Sequence, residues 1–447
     1  MKHAKIQDLT VGAPLKVLSI YAIPMLISMF FQQAYNLVDS WIAGNYIGAV
    51  ALGAVGTCYP LTVFLIAISS GLSLGTSIYC SQAYGAKACS DVKTAVKTSV
   101  MAYLPFSAAI SIAGILLAPM ALKWLSVPYE AYDATCVYLR IYMVGFTFQF
   151  WYNIVNGVLT GLGNSRTPLY YLIISAICNV ILDYAFVVIW DQGVAGLALA
   201  TILSQLLSAI LTSVTVYRVL RTMPENSSGF SSSMIREILK LGIPSMIQHL
   251  LMSLGQISLQ NIINSYGLIV MAGYSVAFRI NGIVINSLMA LSNALSGFIA
   301  QNKGAGEYGR IREGIRVSTI IAYIFSAAVI FSLFVWSENI LSMFIKESDR
   351  YEEIIAAGMG FIWVVAPFYL VVCLKIVYDG ALRGIGAMNY FMFATMSDVV
   401  VRVLLGGIFS NLWGLNGVWA IWPTAWIVGT TLSVGLYRIR TLKVKDI

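Results

Sequence analysis

Long apolar stretches separated by short polar connections run the length of this chain. A helix crossing the hydrocarbon core of a bilayer needs about 20 predominantly apolar residues. The sequence offers such stretches at 14–39, 48–78, 93–118, 134–157, 167–190, 193–217, 240–264, 268–299, 315–336, 355–379, 389–409 and 415–437. With their short connections they consume almost the whole chain. The pattern predicts an all-α polytopic membrane protein with twelve transmembrane helices.

Three signatures then recur along the chain. Ala22-Ile23-Pro24 returns as Gly242-Ile243-Pro244, Gln82-Ala83-Tyr84-Gly85 as Gln301-Asn302-Lys303-Gly304, and the segment from Asn156 to Gly163 as the segment from Asp379 to Gly386. The offsets are 220, 219 and 223 residues, a constancy that marks an internal repeat. We therefore expect an N-terminal six-helix lobe over 1–221, a cytoplasmic linker over 222–236 and a C-terminal six-helix lobe over 237–447. An even number of spans returns the chain to its starting side, so the pseudo-symmetric lobes are expected to share parallel topology, with a cleft between them. Gly157, Gly161 and Gly163 precede Pro168 and suit a tight hairpin. The lysine-containing pattern of a phosphate loop is missing there.

Composition changes the picture in one respect. With 59% hydrophobic and 10% charged residues, and a mean hydropathy of +0.82, the chain has too little charge to cover a water-soluble surface. The net charge of +8 does not signal nucleic acid, because the basic residues fall in alternate connections. One side receives Lys2, Lys5 and Lys16, then Lys87, Lys93 and Lys97, later Arg236, Lys240, Arg310, Arg312 and Arg316, and finally Arg438 to Lys445. The other receives Lys123, Lys346 and Arg350 beside the acidic Glu338, Glu347, Asp349, Glu352 and Glu353. That bias places both termini in the cytoplasm of a cell-membrane protein. Cys58, Cys80, Cys89, Cys136, Cys178 and Cys373 show no close CxxC pair, so neither a disulfide framework nor a resident metal is expected. A retained first span, rather than a cleaved signal, is expected at the N-terminus.

Ionisable residues within spans are costly unless paired or facing a cavity, and mark function by default. In the first half they are Asp39, Arg140 and Asp183, with Asn156, Asn179 and Thr201 as polar companions. Asn179 and Asp183, four residues apart, share a helix face. At 1.5 Å per residue Asp183 stands about 22 Å in from the cytoplasmic side and Thr201 about 12 Å in from the other, so their depths coincide. Asp39 is a candidate third wall. Two poorly hydrated carboxylates do not comfortably hold two charges, so the site is expected to take a proton or a cation.

The second half differs in chemistry. Arg279, Lys375, Asp379, Asp398 and Arg402 occupy or border its spans as possible polar or substrate contacts. Asp398 and Arg402 form an i,i+4 pair of structural character, and Asp379 is expected to pair with Arg383. His249 lacks a metal cluster or an acid-base set around it, and packing is its expected role. Tyr35, Tyr138, Phe150, Trp151, Tyr152, Met252, Met289 and Phe368 suit an adaptable cavity for flat or cationic molecules.

Pro24, the Gln32-to-Gly44 and Gly71-to-Gly85 segments, the paired Asn-Gly and Asp-Gly segments and the duplicated organisation together resemble the multidrug and toxic compound extrusion family, over nearly the whole chain. The resemblance is to its DNA-damage-inducible branch. It implies that Asp39 occupies the family's helix-one acidic position, Asn179 and Asp183 its helix-five polar pair and Thr201 its helix-six hydroxyl. Tyr138 and Asn156 fall on further polar positions of the first-lobe cavity. The implied activity is proton- or sodium-driven export of amphiphilic, cationic drugs or metabolites by a monomer, without a cofactor. The second half lacks the acidic pattern of the sodium-coupled bacterial branch, which favours the Asp39–Asp183 region as the coupling site. Flipping of a lipid-linked precursor is the alternative that this resemblance leaves open. A channel and an intramembrane enzyme fit less well, since no catalytic grouping has constrained spacing.

Overall fold

The computed structural model describes residues 6–125, 127–224, 226–344 and 350–443. Lys2, Lys5 and Lys445 of the basic ends, and Lys346, Glu347 and Asp349 of the expected outer connection, lie outside the described residues. Hydrocarbon offers the backbone no hydrogen bonds, so a spanning segment must satisfy its own N–H and C=O groups. All regular structure among the described residues is accordingly helical. In chain order the helices are α1 (Pro14–Ile42), α2 (Ala49–Gly85), α3 (Cys89–Trp124), α4 (Tyr129–Gly161), α5 (Arg166–Asp183) and α6 (Gly193–Thr222). They continue as α7 (Ser232–Asn264), α8 (Leu268–Gly304), α9 (Tyr308–Ser342), α10 (Tyr351–Val365), α11 (Tyr369–Gly384) and α12 (Met388–Lys443).

Ten helices among the described residues are long and apolar enough to cross a membrane. They count the continuous run Tyr351–Gly384 once, although a 3-10 turn at Ala366–Phe368 separates α10 from α11. Pro367 lies in that turn and removes a backbone donor. The expected spans 389–409 and 415–437 both fall in α12, on either side of Gly414, whose φ of 59° and ψ of −140° are not helical. Only glycine adopts that conformation without strain. The expected span 134–157 falls in α4, a 33-residue helix that is not among the ten.

Two compact units organise these helices. Unit 1 comprises Met1–Asp8 and Ile23–Met246; unit 2 comprises Leu9–Ala22 and Ile247–Ile447. The assignment of Leu9 to unit 2 has a visible cause. Leu9 is fully buried in unit 2, where its N–H donates to Gln301 Oε1 at 3.0 Å and its carbonyl accepts from Asn302 Nδ2 and Arg310 Nη2, each at 3.2 Å. Arg310 also donates to Gly12 O at 2.8 Å, so the segment before α1 is held by the end of α8 and the start of α9.

The glycine signatures are close-packing devices, one copy in each unit. Gly157 of α4 faces Ser73 of α2, whose hydroxyl donates to Asn153 O at 2.5 Å. Gly380 of α11 faces Ser292 of α8, whose hydroxyl donates to Ile376 O at 2.6 Å. A Cβ on Gly157 would stand 2.8 Å from Ser73 O, and one on Gly380 2.7 Å from Ser292 O. Backbone at that distance cannot yield without moving a helix, and overpacking of this kind costs about 1–3 kcal/mol. Gly157→Ala and Gly380→Ala should each lower the temperature at which the purified protein loses its monodisperse peak. Gly282→Ala, where a Cβ meets nothing within 4 Å, should not lower it.

Candidate functional site

Helical spacing assembles a polar cluster inside unit 1. Tyr35 and Asp39 lie one turn apart on α1, and Asn179 and Asp183 one turn apart on α5, so each helix presents a pair from one face. Asp183 and Asn179 are fully buried, Thr201 of α6 is buried and Asp39 is partly buried. The Asp39 and Asp183 carboxyls lie within hydrogen-bonding range of each other. With its nitrogen turned towards the carboxyl, Asn179 donates to Asp183 Oδ2 at 2.9 Å, and its oxygen accepts from the Thr201 backbone N–H at 3.3 Å; the hydrogen-bond network dictates that orientation. The Tyr35 hydroxyl bonds the Thr201 side chain, which in turn donates to Leu197 O at 3.1 Å.

Asp39 Oδ1 and Asp183 Oδ1 have no hydrogen-bond partner among the described residues. Two adjoining carboxyls, each with an oxygen that no donor reaches, repel one another when both are ionised. A proton shared between them or a monovalent cation held by their oxygens removes the repulsion.

Both carboxyls stand where their helices leave α geometry. Asp183 ends α5 and is followed by a π turn at Tyr184–Ile189; a second π turn, Ala43–Ile47, begins four residues after Asp39. Such turns shift the hydrogen-bond register and recur at functional sites. Aromatic rings pack around them, with Tyr46 edge-on to Tyr184 at 6.4 Å and to Trp41 at 5.8 Å.

The other first-half candidates divide. Tyr138 is buried, within electrostatic range of Asp39, and stacks on Tyr142 at 6.2 Å. Tyr142 donates to Gln149 Oε1 at 3.0 Å; this partner follows Tyr138 by one helical turn, the signal by which spacing would have found it. Asn156 stands 18 residues beyond Tyr138 on α4, about 27 Å along the helix axis. Its Oδ1 is unpartnered. Arg140 is exposed.

Unit 2 buries more charge. Lys375 donates to Asp379 Oδ2 at 2.7 Å, and Ser433 of α12 donates to Asp379 Oδ1 at 2.6 Å. This corrects the expected pairing of Asp379 with Arg383: both oxygens are already engaged, and Arg383 instead donates to Ser292 Oγ at 2.8 Å. Asp398 and Arg402 pair at 3.1 Å, and the Arg402 guanidinium lies 4.1 Å from the centroid of the Trp422 ring, adding a cation–π contact. Arg279 is exposed and stands outside this buried set. No group of three His, Cys, Asp or Glu among the described residues is placed to hold a metal ion.

Comparison with known proteins gives one consistent result. A family model described as MatE matches residues 24–185 and 244–408. The probable multidrug resistance protein YpnP of Bacillus subtilis (strain 168) is 28% identical over 418 residues, covering 93% of this chain and 92% of that protein. The probable multidrug resistance protein YoeA of the same organism is 26% identical over 433 residues, covering 94% and 93%. A solved multidrug resistance MATE family transporter of the MOP superfamily, in an outward-facing conformation, superposes with a TM-score of 0.89 at 23% identity, with all of both chains covered.

Two stability outcomes follow from these contacts. Asn179→Ala strips Asp183 of its buried donor and should cost about 1–3 kcal/mol, whereas Asn156→Ala should cost less; thermal unfolding of the purified variants compares them. Asp398→Leu leaves a buried guanidinium unpaired and should cost about 3–5 kcal/mol. The double variant Asp398→Leu with Arg402→Met should recover most of that loss in the same measurement.

Proposed function

Because the chain belongs to the MatE family, we propose that it is a secondary active antiporter that exports amphiphilic, cationic drugs or metabolites in exchange for protons or sodium. It is a multi-pass membrane transporter and not an enzyme. The observation that carries the exchange reading is the Asp39–Asp183 pair, set on two different helices and bridged by Asn179 to α6. Loading the pair with a proton or sodium ion removes a negative charge and changes which hydrogen bonds the carboxyls accept. The adjoining π turns give α1 and α5 a second backbone register to move into. A difference in ion affinity between two conformations is what allows a gradient to bias their populations.

The same reading includes twelve spans in two six-helix lobes of parallel topology, both termini in the cytoplasm, a functional monomer and kinship to the DNA-damage-inducible branch. The charge alternation and the paired glycine–serine devices support it. Tyr138 and Tyr142 supply flat contact surface near the carboxyl pair.

Flipping of a lipid-linked precursor is a second reading, favoured by a cavity of about 310 Å³ between α2, α3 and α4, whose lining of Leu61, Phe64, Leu117 and Met143 among others is apolar. Such a lining suits an acyl chain.

Purified protein in defined vesicles separates these readings. A proton or a sodium gradient, imposed singly, should drive export of a fluorescent cationic amphiphile, and Asp39→Asn and Asp183→Asn, matched for insertion, should each abolish the driven component. Undiminished driven export in both variants would remove the carboxyl pair from the mechanism. Transport of a labelled lipid without export of the amphiphile would establish flipping instead.

A further inference from the structure

The repeat offers an internal control on the charge buried in unit 2. With the 223-residue offset that relates Asn156 to Asp379, Tyr152, Asn156 and Thr160 of α4 correspond to Lys375, Asp379 and Arg383 of α11. The scaffold around the two triplets is the same: a serine on the neighbouring helix bonds a backbone carbonyl of α4 or α11 against a glycine, as Ser73 does at Gly157 and Ser292 at Gly380. In unit 1 the last member is neutral and satisfied within its own helix, Thr160 donating to Asn156 O at 2.9 Å and Gly157 O at 3.0 Å. The packing device therefore works without any ion. The stripe of plus, minus and plus on α11 is an addition to it.

The charges of that stripe do not cancel. Lys375 and Asp379 neutralise one another at 2.7 Å, and Ser433 takes the remaining Asp379 oxygen. Asp398 and Arg402 form a separate neutral pair. Arg383, only 3% exposed, shares the field of Asp379 with Lys375, but its hydrogen bond goes to the neutral Ser292 hydroxyl, and its guanidinium carbon lies 5.4 Å from the centroid of the Phe391 ring. Its Nε has no partner among the described residues. A buried guanidinium in a lipid-embedded protein is expensive unless an anion or several acceptors face it. Its planar fork is matched to carboxylate and phosphate groups.

We propose that Arg383 is an anion-recognition residue, and that the Lys375–Asp379–Arg383 stripe receives the carboxylate or phosphate of an amphiphile. The proposal rests on the export reading and narrows its cargo. Arg383 Nε is the donor that would hold the anion, since the Ser292 hydroxyl proton is already given to Ile376 O. The same chemistry also fits the phosphate of a lipid headgroup.

Equilibrium binding tests this without a gradient, so a failure of ion-driven export leaves it readable. Rhodamine 110, which carries a free carboxyl, and rhodamine 123, its methyl ester, form a matched pair, titrated against the purified wild-type protein and Arg383→Thr. Threonine reproduces the unit 1 residue on an equivalent backbone. Losing a hydrogen bond to a charged group weakens binding by about tenfold or more. The wild type should prefer the acid, and Arg383→Thr should lose that preference by about this factor while binding the ester unchanged. Arg383→Lys should keep part of it. In a parallel arm, phosphatidylglycerol retained through purification is quantified by mass spectrometry. Arginine-dependent retention, with no acid preference, would assign the site to a lipid headgroup. If the wild type shows no acid preference and retains lipid no better than Arg383→Thr, the proposal is overturned; the wild-type preference serves as the test should the variant fail to fold.

Discussion

The constraint on which this protein depends is the absence of water from the hydrocarbon core. A charged side chain at the centre of a spanning helix costs about 3 kcal/mol or more on insertion scales, and an unpaired backbone group is penalised in the same way. The second penalty makes all regular structure among the described residues helical. The first ensures that buried charge is seldom left alone: Lys375 finds Asp379, Arg402 finds Asp398 and a tryptophan face, and Asp183 finds Asn179. Against that background the exceptions carry information. At Asp39 with Asp183, and along the stripe of Lys375, Asp379 and Arg383, like charges outnumber opposite ones.

Close helix packing supplies the frame in which those exceptions are held. Glycine against serine at α2–α4 and again at α8–α11 brings backbones together where apolar attraction between helices is weak, as lipid tails are equally apolar. Deviations from α geometry have separate causes. Pro367 interrupts the run between α10 and α11, Gly414 bends α12 through positive φ, and two π turns follow the acidic residues of α1 and α5. The last pair adjoins the Asp39–Asp183 cluster, and π turns of this kind recur at functional sites.

Much of this was legible in the sequence because the membrane makes local rules reliable. Apolar length located the helices, and i,i+4 spacing paired Asn179 with Asp183 and Asp398 with Arg402. Rise per residue matched the depths of Asp183 and Thr201 from opposite sides. What spacing could not supply was the partner chosen when several are in reach. Asp379 has Lys375 one turn before it and Arg383 one turn after it, and the choice of Lys375 is visible only with Ser433 in place across the fold. Nor could spacing reveal that Arg279 and Arg140 are exposed. The place of Leu9 in unit 2 was hidden for the same reason, since it depends on Gln301, Asn302 and Arg310, about 300 residues further along the chain.

Duplication explains how one chain accommodates chemistry of opposite sign. A repeat that folds through glycine contacts and serine–carbonyl hydrogen bonds does not use its charged positions for stability, so those positions are free to diverge. At equivalent places α4 carries tyrosine, asparagine and threonine, whereas α11 carries lysine, aspartate and arginine. The carboxyl pair of unit 1 lies elsewhere, on α1 and α5. The adjoining carboxyls and the excess of buried positive charge consequently occupy different helices of related units. On the proposed reading, the groups that sense the driving ion and those that recognise the cargo contribute separate interaction energies, and each acts by favouring one conformation of the protein over another.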